Sequence, residues 1–541
     1  MPMSHRHLAG VTVPLFSLRS QQSWGIGEIG DLPELAQWVH EAGIRLIQVL
    51  PLGAIADDET SPYSAMTAFG IDPMYISIAE VADVGNDLEL VLGGVGGTEL
   101  LARTRASQSV DYTAVRTLKR QALLFAFQRF SAHDLASSSP RARLFHAFRA
   151  QNRAWLDDYT LFRALNDAHE GVAWWKWEGP LRTRDPVALA RAAGRYRHEI
   201  LFHAYLQWLA HTQWYEARAH LTSIGVELMG DLPFMVRRDS CDVWANQREF
   251  REDFSVGAPP DFFDPDGQEW TLPPYHWERM RENDFAWLRR RARHTASLFD
   301  RFRIDHVVGF YRTYIRPVNA LRDAAGKLLA GFFDPGTPEA QLAHGERVIS
   351  AMSEAAREAG GALIAEDLGV IPDFVRASLS RLEVPGYKVV IWEKDDRAFR
   401  DPTAYARSSV ACFGTHDTNP VAVWWEGLDQ GEREAVRAIP FLAPRAKELG
   451  RAFTPAVHGA LIDLLNAAGS DLVLFMIQDL LGARDRINLP ATVGPHNWSY
   501  RLPGTVEEMR RDRHVTQLMT MLRHSTEKSD RAGLRLPELR P

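Results

Sequence analysis

Eight short apolar runs recur along the 541 residues, and most follow a stretch with helical spacing. They are GVTVPL (10–15), IRLIQVL (44–50), IGVELM (224–229), FRID (302–305), ALIAED (362–367), KVVIW (388–392), SVACFG (409–414) and DLVLFMI (471–477). Strands that alternate with helices argue for a parallel sheet. Eight of them argue for an α/β fold closed as a (β/α)8 barrel, with an open doubly wound sheet as the alternative. Length alone would suggest several domains, but barrels routinely carry long insertions. The expected organisation is one catalytic barrel over 1–541, with a mainly helical insertion at 80–222 and an aromatic, proline-rich insertion at 233–284. Within the next helical stretch, Phe285, Leu288, Ala292 and Phe299 recur at core spacing, and Arg289, Arg290, Arg291 and Arg293 are expected on or near the solvated side. The polar tail from His524 is expected to be loosely ordered.

Charge and cysteine content exclude several classes. The 62 basic and 69 acidic residues give a formal charge of −7, too mild to indicate nucleic acid or an acidic membrane as partner. Two cysteines, Cys241 and Cys412, form no disulfide framework and no CxxC, which fits a reduced, cytoplasmic compartment. The start, MPMSHRHLAGVTVPLF, lacks a secretory apolar core, and no run approaches the roughly 18 apolar residues of a membrane span. No His, Asp or Glu spacing suggests a closed metal site.

Three carboxylates stand at the ends of strand candidates. Asp305 ends FRID, Glu366 ends LIAE, and Asp417 follows SVACFGTH. In a (β/α)8 barrel the reactive groups gather at the carboxyl ends of the strands, so three acids from three strands converge on one mouth. Arg303 lies two residues before Asp305, on the same strand face, and is expected to lower its pKa as suits a nucleophile. Glu366 follows apolar residues and is expected to have a raised pKa as suits an acid. Asp367 faces the other way, and capping the next helix is its plain structural role. Asp417 and His416 are placed to bind sugar hydroxyls. A nucleophile, an acid and a third carboxylate equip a retaining glycosidase-type site. Phe262, Phe263, Trp270, Tyr275 and Trp277 cluster in one segment, and flat aromatic faces fit the C–H faces of glucose.

The motifs taken in order resemble the amylomaltases, or 4-α-glucanotransferases, over nearly the whole chain. They are GIGEIGDL, QVLPL, SPYS, AFGIDP, GDLPFMVRRDSCDVWAN, GAPPDFFDPDGQEW, RIDH, AEDLGVIP, GTHDT, IQDLLG and NLPATVGPHNWSYRL. The resemblance implies Asp305 as nucleophile, Glu366 as general acid/base and Asp417 as transition-state stabiliser. It implies that Arg303 and His416 grip the sugar at the cleavage point and that Tyr63 forms a platform under it. Gln268 and Trp270 would lie in a loop arching over the glucan, with Phe262 and Phe263, and Asn488 would face it. Asp231 in GDLP and His306 in RIDH join these substrate-binding residues. The implied reaction passes α-1,4-glucan segments between donor and acceptor oligosaccharides and needs no cofactor. A retaining α-glucan hydrolase and a non-catalytic glucan-binding barrel are the alternatives. The sequence departs from the family pattern at RIDHVVGF for RIDHFRGF, PPDFF for PPDYF and GTHDT for GTHDN, none of which touches the three carboxylates.

Overall fold

The computed structural model describes residues 7–86, 88–260, 265–324, 326–490 and 492–533. Its centre is a closed ring of eight parallel strands: Leu8–Thr12, Leu46–Gln48, Glu227–Leu232, Arg301–Ile304, Ala362–Ala365, Gly386–Val389, Ser409–Cys412 and Leu472–Met476. The first strand pairs with the second and with the eighth, Leu8 opposite Leu472 through Thr12 opposite Met476, so the sheet has no open edge. The open doubly wound alternative is thereby excluded. Inward residues Leu8, Leu46, Met229, Ile364, Tyr387, Val410, Leu472 and Leu474 fill the ring as a packed cluster. Residues that alternate with them face the surrounding helices.

Local chemistry sets the turn from the first long helix into the second strand. Helix Leu32–Glu41 has a proline in its first turn, and the chain reverses at Gly43, where φ is +86°. A Cβ at Gly43 would stand 2.1 Å from Thr526 Oγ1, so only glycine lets this turn meet the C-terminal helix. Between the second and third strands the chain is helical, ending in the 27-residue helix Arg197–Ser223. Segments on either side of the fourth strand build a four-stranded antiparallel sheet, ordered Gln268–Leu272, Phe254–Ala258, Thr313–Pro317 and Phe332–Asp334.

Several expectations need correction. The third strand was expected to end at Met229 but runs to Leu232, because the long helix continues through Ser223 and displaces the strand toward GDL. Asp231 is therefore a strand residue. Arg291, expected near solvent, is 2% exposed and donates to the Pro233 carbonyl at 2.7 Å and the Tyr275 hydroxyl at 3.1 Å. The tail is not loose where it is described: helix Arg513–Lys528 packs on the barrel and Arg531 is wholly buried. Among the described residues, no helix is long and apolar enough to cross a membrane.

Candidate active site

The carboxyl ends of the third, fourth and fifth strands bring four side chains together. Arg303, inside the fourth strand, is 3% exposed and contacts three carboxylates. Its Nη1 lies 2.5 Å from Asp231 Oδ2, and its Nη2 lies 2.9 Å from Asp305 Oδ1 and 2.8 Å from Glu366 Oε1. The shared strand face of Arg303 and Asp305 is thus present. Two oxygens held at 2.9 and 2.8 Å from one nitrogen can be no more than about 6 Å apart, compatible with the roughly 5–5.5 Å of retaining pairs and shorter than the roughly 6.5–9.5 Å of inverting ones.

Exposure separates the acids. The side chains of Asp305 and Glu366 are 26% and 17% exposed, so both can be reached from the mouth. Asp231 has no exposed side-chain surface. It lies behind the site, accepting a hydrogen bond from the Tyr63 hydroxyl at 2.7 Å, and its Oδ1 has no hydrogen-bond partner among the described residues. Its action on a ligand must pass through Tyr63 and Arg303.

The charge states differ from the sequence expectation. Burial pushes the Asp305 carboxyl well above the usual carboxylate range; Arg303 opposes this, but Glu366, Asp231 and Asp417 add to it. Burial also disfavours charge on Glu366, yet Arg303 and the His306 backbone N–H, donating at 2.7 Å, outweigh it and bring Glu366 down to about 2. Arg303 was expected to make Asp305 the stronger acid. It stabilises Glu366 as well, and Glu366 has the additional amide donor. Arg303 and the His306 amide thus favour the anion at Glu366 more than at Asp305. Carboxyls this close titrate as one unit, an acid and an anion sharing a proton.

The His306 amide is aimed by an unusual backbone. His306 has φ +46° and ψ +53°, left-handed values, and this turns its N–H back onto Glu366. Its ring packs against Phe234 and meets Trp270 edge-on, with centroids 5.3 Å apart in the latter pair. Trp270 Nε1 donates to Gln268 Oε1 at 2.9 Å, so these two arch residues brace each other over His306. Phe262 and Phe263 lie outside the described residues. Trp277 is 4% exposed and belongs to the core.

Asp417 completes the mouth from the turn after the seventh strand. Its Oδ1 accepts from Asn488 Nδ2 at 2.6 Å, and its Oδ2 lies 3.3 Å from His416 Nε2. The His416 ring stacks on Tyr63, with centroids 5.2 Å apart and planes 17° apart. The Thr418 hydroxyl closes this turn, accepting from the Thr415 N–H and donating to its carbonyl. Asp367 points away and accepts the Tyr387 N–H at 2.7 Å, so it does not cap the next helix.

Sequence reasoning missed Trp498 and Arg486. Trp498 packs against both Tyr63 and His416, with centroids 5.6 and 5.8 Å away. Arg486 donates to the main-chain carbonyls of Asp417 at 2.5 Å and Asn488 at 3.1 Å. Both lie in or near the late asparagine motif, and their roles depend on folding that signals in sequence spacing do not carry.

The comparisons with known proteins give the family and the fold. A model of the 4-alpha-glucanotransferase family matches residues 13–507. The chain is 31% identical over 512 residues to the 4-alpha-glucanotransferase of Chlamydia pneumoniae, covering 92% of each chain. It is 32% identical over 498 residues to that of Thermus thermophilus, covering 89% of this chain and 92% of the relative. In fold it is similar to the amylomaltase from Streptococcus agalactiae in complex with acarbose, at TM-score 0.80 and 24% identity, over 97% of this chain and 100% of that one.

Proposed function

We propose that this chain, which belongs to the 4-alpha-glucanotransferase family, transfers glucan segments by double displacement, with Asp305 as nucleophile and Glu366 as the acid and then the base. The activity itself is that of the family: it is a 4-alpha-glucanotransferase. One observation supports the retaining scheme most directly. A single buried guanidinium holds Asp305 and Glu366 within the spacing of a retaining pair, and both are reachable from the mouth.

In this scheme Glu366 gives its proton to the glycosidic oxygen while Asp305 Oδ attacks C1. The C1–O bond breaks, the leaving glucan departs with a new 4-hydroxyl, and a glucosyl ester forms on Asp305. The 4-hydroxyl of an acceptor glucan then attacks C1, passes its proton to Glu366, and frees the Asp305 carboxylate. Asp417, fixed by Asn488 and Arg486, stabilises the oxocarbenium-like ring, and Tyr63 stacked on His416 forms the floor under it. No cofactor enters these steps.

Donor and acceptor are α-1,4-glucan oligosaccharides in this reading, and the segment 233–284 covers them through Gln268 and Trp270. The mainly helical segment 80–222 is an insertion that supports the barrel. Cytosolic residence fits the two cysteines, both free and buried.

Product analysis on pure maltotriose tests the reading. Transfer gives glucose with a ladder of longer oligosaccharides at nearly constant reducing ends. Steadily rising reducing ends with no product longer than the substrate would show hydrolysis instead. Asp305→Asn and Glu366→Gln, folded as judged by circular dichroism, should each lower kcat by roughly 10²–10⁴-fold or more. A near-normal rate in either removes that residue from its role.

A further inference from the structure

A second cavity, of about 660 Å³, lies between the segment 250–253, helix Trp277–Glu282, the Asp334–Pro335 step and the start of helix Pro338–Glu358. It shares no lining residue with the carboxylate cluster, and its size falls in the roughly 300–1,000 Å³ range of small-molecule sites. Its wall holds a polar group with nothing to bind. His344 is 3% exposed, and neither ring nitrogen has a hydrogen-bond partner among the described residues. Buried polar groups in this condition call for a ligand or ordered water. Burial, helped by Arg281 and Arg347, brings His344 down to about 3, so near neutral pH it offers one N–H donor and one acceptor rather than a charge. On the same wall His276 Nδ1 is also unpartnered.

The charges around the cavity are unevenly spent. Arg251 is engaged, 3.5 Å from Asp334 and 3.8 Å from Asp253. Arg281 and Arg347 make no ion pair or hydrogen bond among the described residues, and they line the cavity from two helices, their charges felt by His344 and, for Arg281, by Asp334. Two free guanidinium forks on one wall, with the neutral imidazole buried behind it, suit phosphate, which guanidinium binds in bidentate fashion. Four carboxylates line the same space: Asp253 and Asp334 lie by Arg251, Glu252 lies 3.8 Å from Arg238, and Glu278 and Asp334 can accept from sugar hydroxyls. A neutral glucan fits less well. Phe250 and Trp277 are each only 4% exposed, and Trp277 turns its ring to His344 at 4.5 Å, so the cavity offers no stacking face.

We propose that this cavity binds a phosphorylated monosaccharide, the phosphate between Arg281 and Arg347 beside His344 and the sugar hydroxyls against Asp334 and Glu278. The test is calorimetric titration of the full-length enzyme with glucose 6-phosphate, inorganic phosphate and glucose. Glucose 6-phosphate should bind, and inorganic phosphate should bind at least about tenfold more weakly because it leaves the two carboxylates unmatched. The double variant Arg281→Gln with Arg347→Gln should weaken glucose 6-phosphate at least about tenfold while leaving kcat/KM on maltotriose and any glucose binding unchanged. Both arginines are exposed and unpaired, so their loss should not disturb folding. His344→Phe should also weaken glucose 6-phosphate; if that variant does not fold, the arginine pair decides. The proposal is overturned if glucose 6-phosphate does not bind, if the double variant binds it as tightly as the wild type, or if inorganic phosphate binds equally well.

Discussion

At the barrel mouth one guanidinium serves three carboxylates, so its removal leaves more negative charge than the site can hold. In Arg303→Met the contacts to Asp231, Asp305 and Glu366 all vanish. Breaking a buried ion pair from one side typically costs about 3–5 kcal/mol. The sign with pH follows from the raised folded-state pKa of Asp305 and Asp231. Acids whose folded pKa exceeds the unfolded value lose stability as pH rises between the two. Removing the cation raises those folded values further. The deficit of the variant should therefore be large at pH 7.5 and shrink at pH 5, read from thermal midpoints at each pH. An equal deficit at both would show that Arg303 does not set the charge of the cluster. The pairing of Arg303 with Asp305 was legible from a two-residue spacing. The opposite shifts of Asp305 and Glu366 were not, because they depend on a main-chain amide aimed by the left-handed His306 and on Asp231 from another strand. Asn488 is equally specific. Asn488→Asp would replace the 2.6 Å donor to Asp417 with a like charge, and kcat should fall at least about tenfold, more than in Asn488→Ala.

The arch over the site is held by its base. Strand Gln268–Leu272 pairs with Phe254–Ala258 across a bulge at Val256 and Gly257. Arg316, 1% exposed, donates to the carbonyls of Gln268 at 2.6 Å, Leu329 at 2.8 Å and Ala258 at 3.4 Å. A Cβ at Gly257 would stand 2.0 Å from the Gln268 carbonyl oxygen, so only glycine lets the two strands approach there. Arg316→Met orphans these carbonyls, at about 1–3 kcal/mol for each that stays buried. The arch should loosen before the barrel does. Water then reaches the glucosyl ester more often, and the hydrolysed share of maltotriose turnover should rise while total turnover falls less. An unchanged ratio in a folded variant would dissociate the arch from water exclusion. Sequence patterning showed that this segment is rich in aromatics, and its covering role is what the family resemblance implies. It could not show the staple, because Arg316 lies near Pro317 in a stretch where nothing marks an arginine as buried. Arg291 was misjudged for the same reason: periodicity assigns a face to each residue, but a polar side chain that finds carbonyls can occupy the apolar one.

Across the whole molecule, eight apolar runs were enough to predict a closed barrel, since each is a strand buried on both faces. The runs did not say what holds the ring shut at the end away from the site. Closure joins the first strand to the eighth, where the Leu8 N–H donates to the Asp471 carbonyl at 2.8 Å. Arg531, from the segment expected to be loose, plugs this seam. It donates to the carbonyls of Asn466 at 2.7 Å, Ser470 at 2.8 Å and Leu8 at 3.4 Å, with no side-chain exposure. Hydropathy cannot flag such a residue, because a fully charged side chain in a polar tail reads as solvated. Arg531→Met keeps most of the volume and removes the donors, so the carbonyls at the seam lose partners at about 1–3 kcal/mol each. The unfolding midpoint should drop by several degrees. The carboxylates lie at the opposite, carboxyl-terminal ends of the strands, so kcat on maltotriose, measured well below that midpoint, should stay within about twofold. A variant that keeps its midpoint would show that the seam closes without Arg531. One that keeps its midpoint but loses kcat would show that the tail acts on the mouth through the barrel rather than on its closure.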